Sequence, residues 1–158
     1  MPHRHVTKYL AAAVLLAFSL TACDRLTVYH HYEHTPADGW ERTDTLCFQT
    51  PPVTASGTYI AEVGVRTNAA YPFRNLSLVV TQTLPARQQH SDTLDCILTD
   101  QQGRATGSGV SVSQQQYSLG RLQLAKGDSV RFTVCHQMRR EKLAGITDVG
   151  LRITKATN

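Results

Sequence analysis

From Asp44 onward the chain breaks into short runs rich in Val, Ile, Thr, Tyr and Phe, several of which alternate apolar and polar positions. Val130, Phe132 and Val134 fall on one side of such a run, with Arg131, Thr133 and Cys135 on the other. A period of two is the mark of a half-buried strand, because successive side chains leave a strand on opposite faces. Runs of this kind predict strands over 44–49, 59–67, 76–83, 93–99, 109–113, 117–124, 129–138 and 148–154. Between them lie Pro51-Pro52, Ser56-Gly57, Tyr71-Pro72, Asp100 to Gly103 and Lys126-Gly127-Asp128, which are turn chemistries. A helical period is hard to find anywhere. About eight short strands with turns at this spacing predict an all-β chain folded as a β-sandwich, with a jelly roll as one arrangement open to it. The sandwich is expected over 40–158.

The first 22 residues read differently. A basic start (His3, Arg4, His5, Lys8) leads into an apolar run from Tyr9 to Leu20 and then the small pair Thr21-Ala22, the layout of a cleaved secretory signal. As a helix the run would rise about 18 Å, short of the roughly 30 Å hydrocarbon core, so it does not suit a permanent span. The tetrad Leu20-Thr21-Ala22-Cys23 resembles the lipobox of bacterial lipoproteins. That resemblance implies a diacylglyceryl group on the Cys23 sulfur, cleavage just before it, and acylation of the new amine, with palmitate-type chains. More than one acyl chain meets the requirement for stable anchoring. The expected organisation is therefore a signal peptide over 1–22, a lipid-anchored lead-in over 23–39 that spaces the domain from the membrane, and the sandwich beyond.

Removing 22 of the 158 residues leaves 136, the size of one domain with its own core. The leader takes Arg4 and Lys8 out of 16 basic side chains, leaving 14 against 12 acidic ones. A formal +2 is too balanced for a nucleic-acid partner. With Cys23 assigned to lipid, Cys47, Cys96 and Cys135 remain, and an odd number leaves at least one thiol unpaired. Alternation puts Cys96 on the face of Leu94 and Leu98, a buried inert thiol. Cys47 and Cys135 point away from the core, where a disulfide could join them if their strands are neighbours and the narrow geometry permits.

Candidate chemistry is sparse. The stretch "YHHYEH" (29–34) offers His30, His31, Glu33 and His34 as ligands, but it has no HExxH pattern and reads best as an exposed polar lead-in. "GSG" (107–109) lacks the flanking pattern of a nucleophile elbow and reads as a turn. Asp92, Asp95 and Asp100 lack a glycine-centred calcium loop, and Asp100 reads as the start of a turn ending at Gly103. No cysteine–histidine spacing suits zinc. No catalytic, metal or cofactor-binding residue is named by this chain, and no cofactor is expected. Trp40, Tyr71 and Phe73 form the candidate contact surface, since exposed aromatics on a sandwich make platforms for proteins or sugars; the other reading is that they plug the ends of the core.

Four longer segments carry a family likeness: "DGWERTDTLCF" (38–48), "YPFRNLSLVV" (71–80), "DTLDCILTDQQGRATGSG" (92–109) and "MRREKLAGITDVGLRI" (138–153). With the Cys23 lipobox they resemble the GldH family of gliding-motility lipoproteins along nearly the whole mature length. The resemblance implies a non-enzymatic lipoprotein of the cell envelope, with the outer membrane as the expected site. It also implies an accessory role beside the envelope proteins by which some bacteria glide and secrete, although family members occur in cells that do not glide. Two departures stand out: Ala105 occupies a stretch where the family often has Trp, and the family does not require histidines at 29–34. A glycan-binding surface module is the alternative, and it predicts Trp40, Tyr71 or Phe73 aligned on an open face. A hydrolase ranks behind both, resting only on the versatility of the fold.

Overall fold

A computed structural model describes residues 26–85 and 88–157. Ten strands follow in order: β1 (Thr27–His34), β2 (Trp40–Glu41), β3 (Leu46–Gln49), β4 (Gly57–Thr67), β5 (Asn75–Thr83), β6 (Gln89–Ile97), β7 (Ser113–Leu124), β8 (Arg131–His136), β9 (Lys142–Leu143) and β10 (Ile146–Lys155). One antiparallel sheet runs β1-β10-β4-β7, the other β3-β8-β5-β6, and β2 and β9 form a separate ribbon. Among the described residues there is no α-helix.

Setting the two-residue ribbon aside, the eight longer strands pair from the inside outward: β5 with β6, β4 with β7, β3 with β8, β1 with β10. This is one long hairpin folded over on itself, the arrangement of a jelly roll. The pairs β10–β4 and β5–β8 then close each sheet. The inner faces are those that alternation singled out. Tyr59, Ala61, Val63 and Val65 on β4 and Val149, Leu151 and Ile153 on β10 face Leu76, Leu78 and Val80 on β5 and Phe132 and Val134 on β8, all buried.

Three expectations change. First, the segment read as a lead-in contains β1, which pairs with β10 from Thr27↔Thr154 to His34↔Asp148. The domain therefore begins at Thr27 and not at Trp40, and only residues 24–26 separate Cys23 from the sheet. Second, 109–113 alternates like a strand but forms bends, with the Val110 side chain fully exposed; β7 takes the sheet edge only from Ser113. Third, Cys47 and Cys135 do lie on neighbouring strands with outward faces, yet all three described thiols are free. Cys47 stands opposite Thr133, two residues from Cys135. Diagonal neighbours sit roughly 7–8 Å apart, beyond the usual disulfide window. Cys96 is buried, as its face requires. The signal peptide and Cys23 lie outside the described residues.

Candidate functional site

Strand register gives the sandwich two unlike ends. At the entry end the chain comes in beside its own C-terminus: the Leu26 carbonyl accepts the Lys155 N–H at 2.8 Å. Tyr59 pairs with Lys155, Gly57 with Leu124 and Thr83 with Arg131 at this same end. At the far end lie the other termini, where His34 meets Asp148, Thr67 meets Ser113 and Asn75 meets Ile97. The loops 35–45, 68–74, 98–112 and 137–145 gather there. Four surface hollows of about 340 to 410 Å³ open at or beside that end. The exposed side chains of Ile97, Val110 and Val112 are there too.

Trp40 does not belong to this surface. It is 0% exposed, capping the core with its ring edge-on to His136 at 5.1 Å and its Nε1–H donated to the Asp44 carbonyl at 3.1 Å. A two-residue ribbon is enough to place it, because β2 lays Trp40 opposite buried Leu143 on β9. The candidate contact surface thus loses its first member, and the aromatic line expected of a glycan platform is broken.

Tyr71 and Phe73 are half-buried and lean on the core. Their rings meet edge-to-face at 5.6 Å, and the Tyr71 hydroxyl donates to the Asn75 carbonyl at 2.8 Å. Burial, followed by the nearby Cys96 thiol, pushes that hydroxyl well above the ordinary tyrosine range. The loop is clamped by Gly145, whose φ of +83° and closeness to the Tyr71 backbone leave no room for a side chain. A Cβ there would stand 2.1 Å from the Tyr71 nitrogen. The Gly145 carbonyl also accepts the Asn68 N–H at 2.9 Å. Behind Phe73 a hollow of about 400 Å³ is lined by Asn75, Ser77, Met138, Arg139 and Arg140. The Arg140 guanidinium lies 5.7 Å from the Phe73 ring centroid. These arginines went unnoticed in the sequence, where "MRRE" shows only a charge run.

Elsewhere at this end several charges are matched. Lys142 bonds Asp38 and lies 3.6 Å from Glu41, and Arg42 lies 3.5 Å from Glu141. The Asp100 carboxylate accepts the Gln102 and Arg104 N–H groups, each at 2.9 Å, and the Arg104 Nε–H at 2.8 Å. Those bonds, the Arg104 backbone first, hold its carboxyl below the usual range. It is the turn-former that the sequence suggested. Ser108, read as part of a turn, forms an isolated antiparallel bridge instead, exchanging backbone bonds with Gln114.

The histidine stretch is a strand, so His30 and His34 share one face and His31 takes the other. His31 meets Glu33 at 3.0 Å and His34 meets Asp148 at 2.5 Å. Among the described residues no three His, Cys, Asp or Glu side chains converge as metal ligands. The feature that sequence reasoning missed is Tyr32. Its ring lies flat over Gly64 and Gly150, which pair across β4 and β10, and the Arg66 guanidinium stacks 3.8 Å from its centroid. Burial raises the Tyr32 pKa, and its hydroxyl sits beside Gln116 without meeting it in hydrogen-bond geometry.

Comparisons with known proteins place this architecture. The gliding motility lipoprotein GldH of Flavobacterium johnsoniae is 26% identical over 147 residues, covering 89% of this chain and 92% of its own. A GldH homolog from Christiangramia forsetii is 27% identical over 147 residues, covering 87% and 90%. Among solved structures, a family 35 carbohydrate binding module from Clostridium thermocellum overlaps 81% of this chain and 92% of its own at 11% identity and a TM-score of 0.44, too loose a likeness to carry function. The family model described as GldH lipoprotein matches residues 27–153. The match opens on the first residue of β1 and closes two residues short of the end of β10, so it takes in nearly the whole sandwich: the chain belongs to the GldH lipoprotein family.

Proposed function

We propose that this protein is a non-enzymatic lipoprotein of the cell envelope. Lipid on Cys23 holds it to a membrane, with the outer membrane as the expected one, after removal of residues 1–22. It acts as an accessory subunit of the envelope machinery associated with gliding and secretion, and its far end docks other envelope proteins. The names of its relatives, gliding motility lipoproteins and not enzymes, support the class.

The polarity of the sandwich supports the mode of action. The entry end is the end nearest Cys23, where Leu26 is exposed; the four larger hollows and the exposed side chains of Ile97, Val110 and Val112 lie at the other. Three residues of extended chain from Cys23 to Leu26 reach only about 11 Å. A lipid at Cys23 would therefore draw the entry end, with the loops 50–56 and 125–130, down to the headgroups. β4 is 11 residues long. At about 3.3 Å per residue it would carry the far end some 35 Å off the surface.

Photocrosslinking amino acids placed in intact cells test this reading. Probes at Phe73 and Val110 on the far end are expected to capture a consistent envelope protein, while probes at Pro52 and Lys126 on the entry end capture lipid. Protein capture confined to the entry end would overturn it.

A further inference from the structure

The hollow behind Phe73 has a chemistry of its own. It opens where β8 leaves β5: their register ends at Leu78↔His136, while β5 continues back to Asn75. Gln137 still donates its N–H to the Ser77 carbonyl at 2.8 Å, but the Ser77 N–H finds only the Met138 thioether, at 3.4 Å. Sulfur is a weak acceptor on a flexible side chain, so this backbone donor is held rather than satisfied.

Arg139 and Arg140 line the same hollow, both exposed. Neighbouring Arg42, Lys142 and Arg104 are each matched to a carboxylate. Among the described residues, neither Arg139 nor Arg140 has an ion-pair partner. One further carboxylate flanks the site. Asp95 accepts the Ser77 hydroxyl on the outer face of β5, which repels an anion from that side and leaves the arginine side as the approach. Arginine, methionine and aromatic side chains around a hollow are also the set enriched at protein–protein interfaces.

Resting on the docking function proposed above, we infer that this hollow receives an acidic side chain from a protein partner. Its carboxylate would take the Ser77 N–H in place of the Met138 sulfur and lie against the guanidinium groups of Arg139 and Arg140, with Phe73 covering its apolar stem. A guanidinium–carboxylate contact supplies directional, charge-assisted bonds that a neutral partner cannot match. A polysaccharide or a phospholipid headgroup is the competing occupant that the test separates.

The experiment uses full-length lipoprotein in intact cells, with a photocrosslinker at Gln137 on the hollow's rim or at Val110 on the opposite loop. The expected result is a protein adduct from position 137 that falls at least five-fold in the Arg139→Glu/Arg140→Glu variant. The loss should be much smaller in Arg139→Lys/Arg140→Lys, and melting temperature should be unchanged in both. Reversing the cross-linked acidic residue of the partner to Lys should restore the adduct with the Glu variant. Protein adducts from position 110 that persist while 137 captures none, or captures only glycan or lipid, would overturn this inference and leave the docking function standing. No protein adduct from either position would overturn both. A 137 adduct indifferent to the Glu substitutions would overturn the acidic-partner assignment alone.

Discussion

Replacing Gly64 by alanine adds one methyl group, and the structure says what it meets. An ideal Cβ at Gly64 stands 2.2 Å from the Tyr32 hydroxyl oxygen and 2.8 Å from Cζ. Favourable carbon contacts lie near 3.5–4.0 Å, so the ring must rise by about 1 Å. The ring also lies close over Gly150, where a Cβ would stand 2.6 Å from Tyr32 Cδ1, so it is seated on both glycines. Lifting the ring loosens its stacking with Arg66 and frees β1, a sheet edge held only by β10. Overpacking costs about 1–3 kcal/mol and a partly buried cation–π contact about 0.5–2 kcal/mol, so a combined loss of about 2–3 kcal/mol is expected. For a domain of this size that lowers Tm by about 6–12 °C, read by circular dichroism. The decisive control is Tyr32→Ala. With the ring gone the added methyl has nothing to strike, so the double variant should be no less stable than Tyr32→Ala alone, a coupling of about 2–3 kcal/mol. If Gly64→Ala melts within about 1 °C of the parent, or if the two losses simply add, the seat of Tyr32 on paired glycines is not what holds β1.

Thiol reactivity should follow the faces of the strands. Cys47 is exposed, Cys135 is half-buried with its pKa raised by burial, and Cys96 is pushed up to about 12 by burial and then by Asp95. A colorimetric thiol reagent at pH 8 should label Cys47 first and Cys96 only on unfolding; rapid labelling of Cys96 would contradict the core packing. His136 gives a pH dependence. Burial lowers its pKa below the ordinary 6.5, against the opposing pull of its bond to the Trp40 carbonyl. The unfolded chain then binds more protons than the native one just below pH 6.5, so stability falls as pH drops through that window. Tm should drop more between pH 7.5 and 5 in the parent than in His136→Gln, and equal slopes would exclude His136 as the source. Trp40→Phe should cost about 1–2 kcal/mol through its lost bond to Asp44 and lost volume, with no change in far-end crosslinking, since Trp40 is a core cap and not a contact residue.

Where the chain alternates against a two-sided environment, its fold is readable. β4, β5, β8 and β10 each put branched or aromatic side chains on one face at a period of two, and each lies inside its sheet. The edges are harder. β1 carries His and Tyr on both faces, and its place is fixed by the close approach of Tyr32 to two glycines that are distant in sequence, a fact that no local window holds. The opposite error occurs at Val110 and Val112, whose alternation resembles a strand although no neighbouring strand pairs with it. The candidate site divides in the same way. Tyr71 and Phe73 announce themselves by type, whereas Met138, Arg139 and Arg140 join Phe73 only because β8 stops short of the end of β5. Trp40 shows that type alone cannot tell a platform from a plug.

Which end of the sandwich is tied down decides how this protein works, and the mass of the N-terminal peptide of the native protein, released by protease from purified membranes, reads it out. The expected peptide begins at Cys23 and carries a diacylglyceryl group with a further acyl chain on its amine. A native chain that begins at another residue, or that begins at Cys23 with a free thiol, would contradict it.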